Sequence, residues 1–221
     1  LKPTISMVSI SKKILIANKE SVICGWDLIK KKAKRHKTKI IPIDSEHFSI
    51  LKLLDNHELK EIKKIYLTAS GGPFLNYKPN QLKSISPQLA LKHPKWKMGK
   101  KISIDSATLM NKLLEIIEAQ KLFNIPSSKL DVLIHPNSLV HAILELKNGL
   151  IKFIYHKTTM VIPIANAIFE KNLDINQFYK INENKKKSPI ENLKFFQVNT
   201  KIFPIFKIKD RANEFISTPI I

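Results

Sequence analysis

Apolar and polar positions along this chain follow two periods, and the switches between them mark its elements. Ile14-Leu15-Ile16-Ala17, Ile40-Ile41-Pro42-Ile43 and Ile65-Tyr66-Leu67-Thr68-Ala69 are short apolar runs closed by polar residues, as buried strands are. Between them apolar residues recur every three or four positions, the helical period. The pattern predicts helix 3–9, strand 13–17, helix 21–34, strand 39–43, helix 46–54 and strand 64–69. Turns and a lid segment follow to about residue 101, then a short strand at Ile102-Ser103-Ile104 and helix 106–122. Strand 131–134, helix 137–141 and strands near 142–147 and 150–155 complete the pattern. Such alternation indicates the α/β class: an α+β catalytic domain with helices on one face of a mixed sheet. From Ile164 onward, Lys/Asn-rich stretches such as Asn182 to Ser188 break the pattern and read as connector.

Composition narrows the picture. A chain of 221 residues can bury a substantial core. No apolar run approaches the roughly 20 residues of a membrane span, so no membrane partner is expected. The single cysteine, Cys24, excludes an internal disulfide and reads as a small core residue. A formal charge of +20 taken alone points to nucleic acid. Yet Arg35 and Arg211 are the only arginines, whereas base and phosphate forks favour Arg. The lysines are spread through every segment, so nucleic acid is not expected as a partner; it remains the alternative of a different class.

Candidate chemistry gathers in four places. Ser106 stands where helix 106–122 should begin, and a helix start offers free N–H groups and a positive dipole end to a phosphate. Asn111 and Glu115 are four apart and share a helix face, with Lys112 beside them. Asp44-Ser45-Glu46-His47 follows an apolar strand; a strand period would put Asp44 and Glu46 on one side and Ser45 on the other. Two readings stand there: a solvated acidic turn, or, with Glu115, a divalent cation site of magnesium or manganese type. Ser70-Gly71-Gly72-Pro73 is either a plain turn or an anion nest of N–H groups and a hydroxyl. Asn18-Lys19-Glu20 delivers polar groups to a strand end, or begins a helix with Asn18 as its cap.

Taken in order, these stretches resemble a known family. Ala17-Asn18-Lys19-Glu20, Pro42 to His47, Ser70 to Phe74, His93-Pro94-Lys95-Trp96-Lys97-Met98-Gly99, Asp105 to Lys112 and His135 to His141 are similar to the motifs of 1-deoxy-D-xylulose 5-phosphate reductoisomerases of the non-mevalonate isoprenoid pathway. The similarity is dense from Ile14 to His141 and thinner beyond.

The resemblance implies metal-dependent rearrangement and NADPH-dependent reduction of 1-deoxy-D-xylulose 5-phosphate to 2-C-methyl-D-erythritol 4-phosphate. It implies Asp44, Glu46 and Glu115 as ligands of magnesium or manganese, with cobalt a further candidate. Ser45, Ser70, His93, Ser106, Asn111, Lys112, Glu115 and Lys19 match substrate-binding positions, with Lys19, Glu46 and His93 the catalytic set. Asn18, Glu20 and Gly99 match contacts to NADPH, and Trp96 lies in the lid. His135 and His141 read as structural. A homodimer is implied, in the cytoplasm of a bacterium or a plastid-type organelle of a eukaryote.

The resemblance also implies an organisation: residues 1–39 as the tail of a Rossmann-like NADPH-binding domain, 40–163 as the catalytic domain, and 164–221 as connector toward a C-terminal helical domain. No glycine precedes Ile14 to form a pyrophosphate turn, and the chain starts at Leu1. The expectation is therefore an internal fragment, inactive with NADPH by itself, with a degenerate phosphosugar-binding remnant as the alternative. Leu113 stands where the family has a glycine, and Lys157-Thr158-Thr159-Met160 where a Pro-Asp-Met turn is usual.

Overall fold

The computed structural model of the chain describes residues 1–92, 99–170, 173–178 and 193–211, leaving aside the side chain of Asp210. The chain opens with α1 (Lys2–Val8), β1 (Lys13–Ile16), α2 (Lys19–His36), β2 (Lys39–Pro42), α3 (Ser45–Leu53) and β3 (Ile62–Ala69). A one-turn α4 (Pro87–Ala90), then α5 (Lys100–Ala107) and α6 (Met110–Phe123), lead to β4 (Leu130–Ile134), β5 (Val140–Leu146) and β6 (Ile151–Tyr155). Helix α7 (Val161–Phe169) and the two-residue β7 (Phe196–Gln197) follow, and a 3-10 helix spans Pro204–Arg211.

β1 and β2 pair in parallel, Ile14 beside Ile40. Their Ile14 and Ile40 pack with Val8 of α1 and with Ile29 and Ala33 of α2 in a small core. The larger sheet has the order β6-β5-β3-β4-β7. β3 pairs in parallel with β4, and the other neighbours are antiparallel. A parallel pair needs a long crossover, and α4, α5 and α6 lie within the one joining β3 to β4. β3 is the central strand, and its Ile62, Ile65 and Leu67 are almost wholly buried. They pack with Ile50 of α3, Ile116 of α6, Val132 and Leu144 in the main core. Ile23 of α2 packs on Leu113 and Ile117 of α6, so the bulk at Leu113 fills the seam between the two helices.

Several elements differ from the sequence pattern for local reasons. The expected strand at 102–104 is helical, and the expected single helix 106–122 is two helices with a break. Thr108 ends α5 by returning its hydroxyl to the carbonyls of Ile104 and Asp105, both at 3.2 Å. Leu109 then turns left-handed (φ 66°) before α6 starts. The expected helix 137–141 is a tight turn through Ser138 (φ 53°) into β5, because β5 is claimed by pairing with both β3 and β6. Cys24 is exposed rather than a core residue.

Of segment 164–221, expected as connector, the described residues 193–211 add to the sheet and to the main core. β7 extends the sheet beside β4. Phe203 is 1% exposed and Phe206 is buried in the same cluster as β3 and α6. A connector would leave these aromatic rings in water, whereas burying them contributes a large share of local stability. Phe203→Ala should therefore lower the unfolding free energy by about 3–5 kcal/mol, read as a shift of the urea midpoint. A change within error would place Phe203 outside the cooperative core.

Candidate metal centre

β1, β2 and β3 deliver their carboxyl ends to one cleft of about 440 Å³, the usual place for ligands in parallel α/β arrangements. β1 runs into Ala17-Asn18-Lys19-Glu20, β2 into Asp44-Ser45-Glu46, and β3 into Ser70-Gly71. α5 and α6 add Ser106, Asn111, Lys112 and Glu115 to the lining.

Asp44, Glu46 and Glu115 offer carboxylate oxygens that lie within 4.8 Å of one another. Asp44 and Glu46 reach this point by a route the strand period did not anticipate. α3 begins at Ser45, so Asp44 is the residue before the helix and Glu46 lies in its first turn. Ser45 consequently does not point away; its hydroxyl donates to Glu46 and it lines the cleft. Glu115 comes from α6, and His47 Nε2 donates to the Glu115 carbonyl oxygen at 2.9 Å, pinning α3 to α6.

Two ammonium groups sit among these carboxylates. Lys19 pairs with Asp44 and lies 3.5 Å from Glu115 Oε1 and 3.5 Å from Glu118 Oε2. Lys112 pairs with Glu46 and lies 2.6 Å from Glu115 Oε2. Burial opposes the charge on both lysines, but the neighbouring carboxylates overcome it and raise both above an ordinary lysine. Burial likewise opposes ionisation of Glu46, yet the Lys112 ammonium outweighs it and holds the carboxyl below the usual range. Glu115 behaves in the opposite sense. Burial first, and then repulsion from Glu46, pushes it up to about 7. Burial does the same to Glu118, also to about 7.

Four carboxylates therefore face two ammonium groups, and a divalent cation would offset the excess. The donors are hard oxygens, which suits magnesium or manganese better than a softer metal. On that test the residues fit the ion.

The anion side of the cleft is built differently from its sequence expectation. Ser106 lies in the last turn of α5, not at a helix start. The helix start in the cleft belongs to α6, with Asn111 and Lys112 in its first turn, so a positive dipole end still faces the site. Gly71 (φ 85°) and Gly72 (φ 63°) form a left-handed turn after β3, with the Gly72 N–H donating to Ser70 Oγ at 3.1 Å. A Cβ at Gly72 would meet the Ser106 carbonyl oxygen at 3.0 Å in a left-handed backbone conformation, so glycine suits the close approach of this turn to α5.

The nucleotide side is sparser. The Asn18 side chain caps α2, accepting from the Ser21 N–H at 2.7 Å, and Glu20 lies 3.5 Å from Lys101. Gly99 precedes α5 with open space around it and is not part of the cleft lining. His93 and Trp96 lie outside the described residues. Beneath Glu46, His141 and His156 stack with ring centroids 3.9 Å apart. Burial holds both below an ordinary histidine, His141 at about 4.

Two residues here had no role assigned from sequence, His47 and Glu118. The signal was available: Asn111, Glu115 and Glu118 form a polar stripe at four- and three-residue spacing along one face of α6.

Strand ends converging on hard oxygen donors, beside a glycine turn and a helix start, define an α/β protein whose cleft sets candidate cation ligands next to candidate anion donors. Comparison with known proteins is specific. The family described as "1-deoxy-D-xylulose 5-phosphate reductoisomerase C-terminal domain" matches residues 40–123. A 1-deoxy-D-xylulose 5-phosphate reductoisomerase of Pelagibacter ubique is 52% identical over 203 residues, covering 88% of this chain and 51% of the relative. One from Wolbachia sp. subsp. Drosophila simulans is 46% identical over 210 residues, covering 94% of this chain and 52% of the relative. A crystal structure of DOX-P reductoisomerase with NADPH, fosmidomycin and magnesium superposes with a TM-score of 0.80 at 37% identity, over 96% of this chain and 53% of that one. The chain belongs to the 1-deoxy-D-xylulose 5-phosphate reductoisomerase family. It spans about half the length of the curated relatives it matches.

The raised carboxyl of Glu115 sets a pH dependence. A metal ion binds the ionised form, so protons compete with it once the pH falls through about 7. Manganese affinity should weaken by about tenfold for each pH unit below that point, measured by the paramagnetic resonance of free Mn(II). Affinity that is flat between pH 8 and pH 6, or rises toward acid, would remove Glu115 from the ligand set.

Proposed function

We propose that this chain carries the metal- and phosphosugar-binding part of a 1-deoxy-D-xylulose 5-phosphate reductoisomerase. The protein would convert that substrate, with NADPH, to 2-C-methyl-D-erythritol 4-phosphate. The observation that carries this reading is the convergence of Asp44, Glu46 and Glu115 in a cleft also lined by Ser70, Ser106, Asn111 and Lys112. Relatives described with NADPH and with magnesium support it.

In this reading Asp44, Glu46 and Glu115 hold magnesium or manganese. The ion supplies a Lewis acid for the carbonyl chemistry, and NADPH supplies the hydride. Ser70, Ser106, Asn111 and Lys112 grip the phosphate. Lys112 is engaged with Glu46 and Glu115 in the structure; once those carboxylates are neutralised, its ammonium is free to turn to the phosphate. Ser45 and Lys19 orient the sugar hydroxyls from the opposite wall. The phosphate grip is remote from the reacting carbons, so its binding energy can hold them in the reactive geometry. Asn18, Glu20 and Gly99 approach the nucleotide, and His93 belongs with the substrate contacts. Assembly as a homodimer is part of the proposal; the exposed Ile151 and Phe153 on the edge strand β6 offer a second copy an apolar edge.

The test is calorimetric titration of the chain with 1-deoxy-D-xylulose 5-phosphate, with and without manganese. Binding should require the metal, and Lys112→Ala should weaken it by about 2 kcal/mol or more, the value of a desolvated charged contact. Unchanged affinity in Lys112→Ala would remove that lysine from the phosphate grip. Binding that ignores manganese would overturn the metal-dependent reading.

A further inference from the structure

The Lys19 ammonium has three carboxylates around it, and they are not equivalent. Asp44 and Glu115 belong to the set assigned to the metal, whereas Glu118 does not. Glu118 is 2% exposed and lies outside the cleft lining, behind Lys19. Its Oε2 is sealed from solvent with no hydrogen-bond donor, 3.5 Å from the Lys19 ammonium and 3.9 Å from His47 Nδ1.

Adding a divalent ion changes the balance of forces on Lys19. The charges of Asp44 and Glu115, which attract the ammonium in the metal-free cluster, become compensated by the ion, and the ion itself repels Lys19 at short range. With no other anion beside it, a buried ammonium would be expelled toward water. Above about pH 7, where its carboxyl is ionised, Glu118 supplies that anion. It sits three residues after Glu115, one helical turn along the face of α6 that packs on α2 and α3, so it reaches Lys19 from behind.

We propose that Glu118 is a positioning residue that keeps the Lys19 ammonium in the site once a divalent cation has taken Asp44, Glu46 and Glu115. This rests on the metal reading above and deepens it. His47 completes the arrangement by tying α3 to the Glu115 carbonyl while its other nitrogen faces Glu118. Glu118 touches neither the metal nor the substrate in this scheme; it acts through Lys19.

The test follows the Lys19 ammonium directly, in proton–nitrogen correlation spectra of the lysine side chains of the full chain. The signal is identified by its absence in Lys19→Arg. In the native chain it should persist in slow exchange with solvent both before and after magnesium is added. In Glu118→Gln it should persist without magnesium, where Asp44 and Glu115 still hold it. With magnesium its exchange should then rise by about tenfold or more, the factor expected when one buried charge-assisted contact is lost. Because the metal-free spectrum is retained, that outcome is not misfolding. Glu118→Asp, which withdraws the carboxylate by one methylene, should fall between the two. A Lys19 signal in both Glu118 variants that withstands magnesium as the native one does would overturn the proposal alone. A native chain whose Asp44, Glu46 and Glu115 signals do not respond to magnesium would overturn the metal reading, and this inference with it.

Discussion

The buried charge cluster between α3 and α6 is the constraint around which the rest of the site is arranged. Lys19, Lys112, Asp44, Glu46, Glu115 and Glu118 lie together with little solvent, and any one of them alone would be costly there. Their mutual pairing makes the cluster tolerable and also fixes geometry. β1 must end where Lys19 can reach Asp44, β2 must end so that Ile43 and Asp44 lead directly into α3, and α6 must present Asn111, Glu115 and Glu118 on a single face. The His47 contact to the Glu115 backbone holds those elements in that relation.

The hydrophobic cores serve this arrangement. The main core clamps β3 between β4 and β5, and the aromatic residues Phe203 and Phe206, remote in sequence, cover it. The smaller cluster of Ile23, Leu113 and Ile117 joins α2 to α6 directly behind the charges. Leu113 is notable because its neighbours Lys112 and Glu115 belong to the site. Its bulk does not obstruct the cleft, since the side chain is fully buried against α2.

An excess of carboxylates over ammonium groups gives this site its chemistry. Such a cluster carries protons near neutral pH, as the raised Glu115 and Glu118 carboxyls do, or it takes a divalent cation. Both responses come from one physical cause, the removal of water from acidic groups that cannot all be neutralised by Lys19 and Lys112. The neighbouring glycine turn and the start of α6 add a complementary tendency to hold an anion, so cation and anion can sit side by side with their charges offset.

By itself the sequence determined the strand ends and the chemistry attached to them. Short β-branched runs closed by Asn18-Lys19-Glu20, Asp44-Ser45-Glu46 and Ser70-Gly71-Gly72 are local signals, because strand burial and turn formation depend on neighbours a few residues away. The family resemblance in those same stretches was legible for the same reason. What tertiary structure decided was everything set by long-range contact. Thr108 and Leu109 break one expected helix in two, moving Ser106 from a helix start to a helix end. Pairing with β3 and β6 replaces the expected helix at 137–141 with a turn through Ser138 and the start of β5. Phe203 and Phe206 leave a Lys/Asn-rich region to enter the core. Glu118 gained its place only when α6 packed against α2 and α3. Periodicity identifies the stripe on which Glu118 lies, but the ammonium it meets comes from a strand end about a hundred residues earlier, and no local pattern encodes that distance.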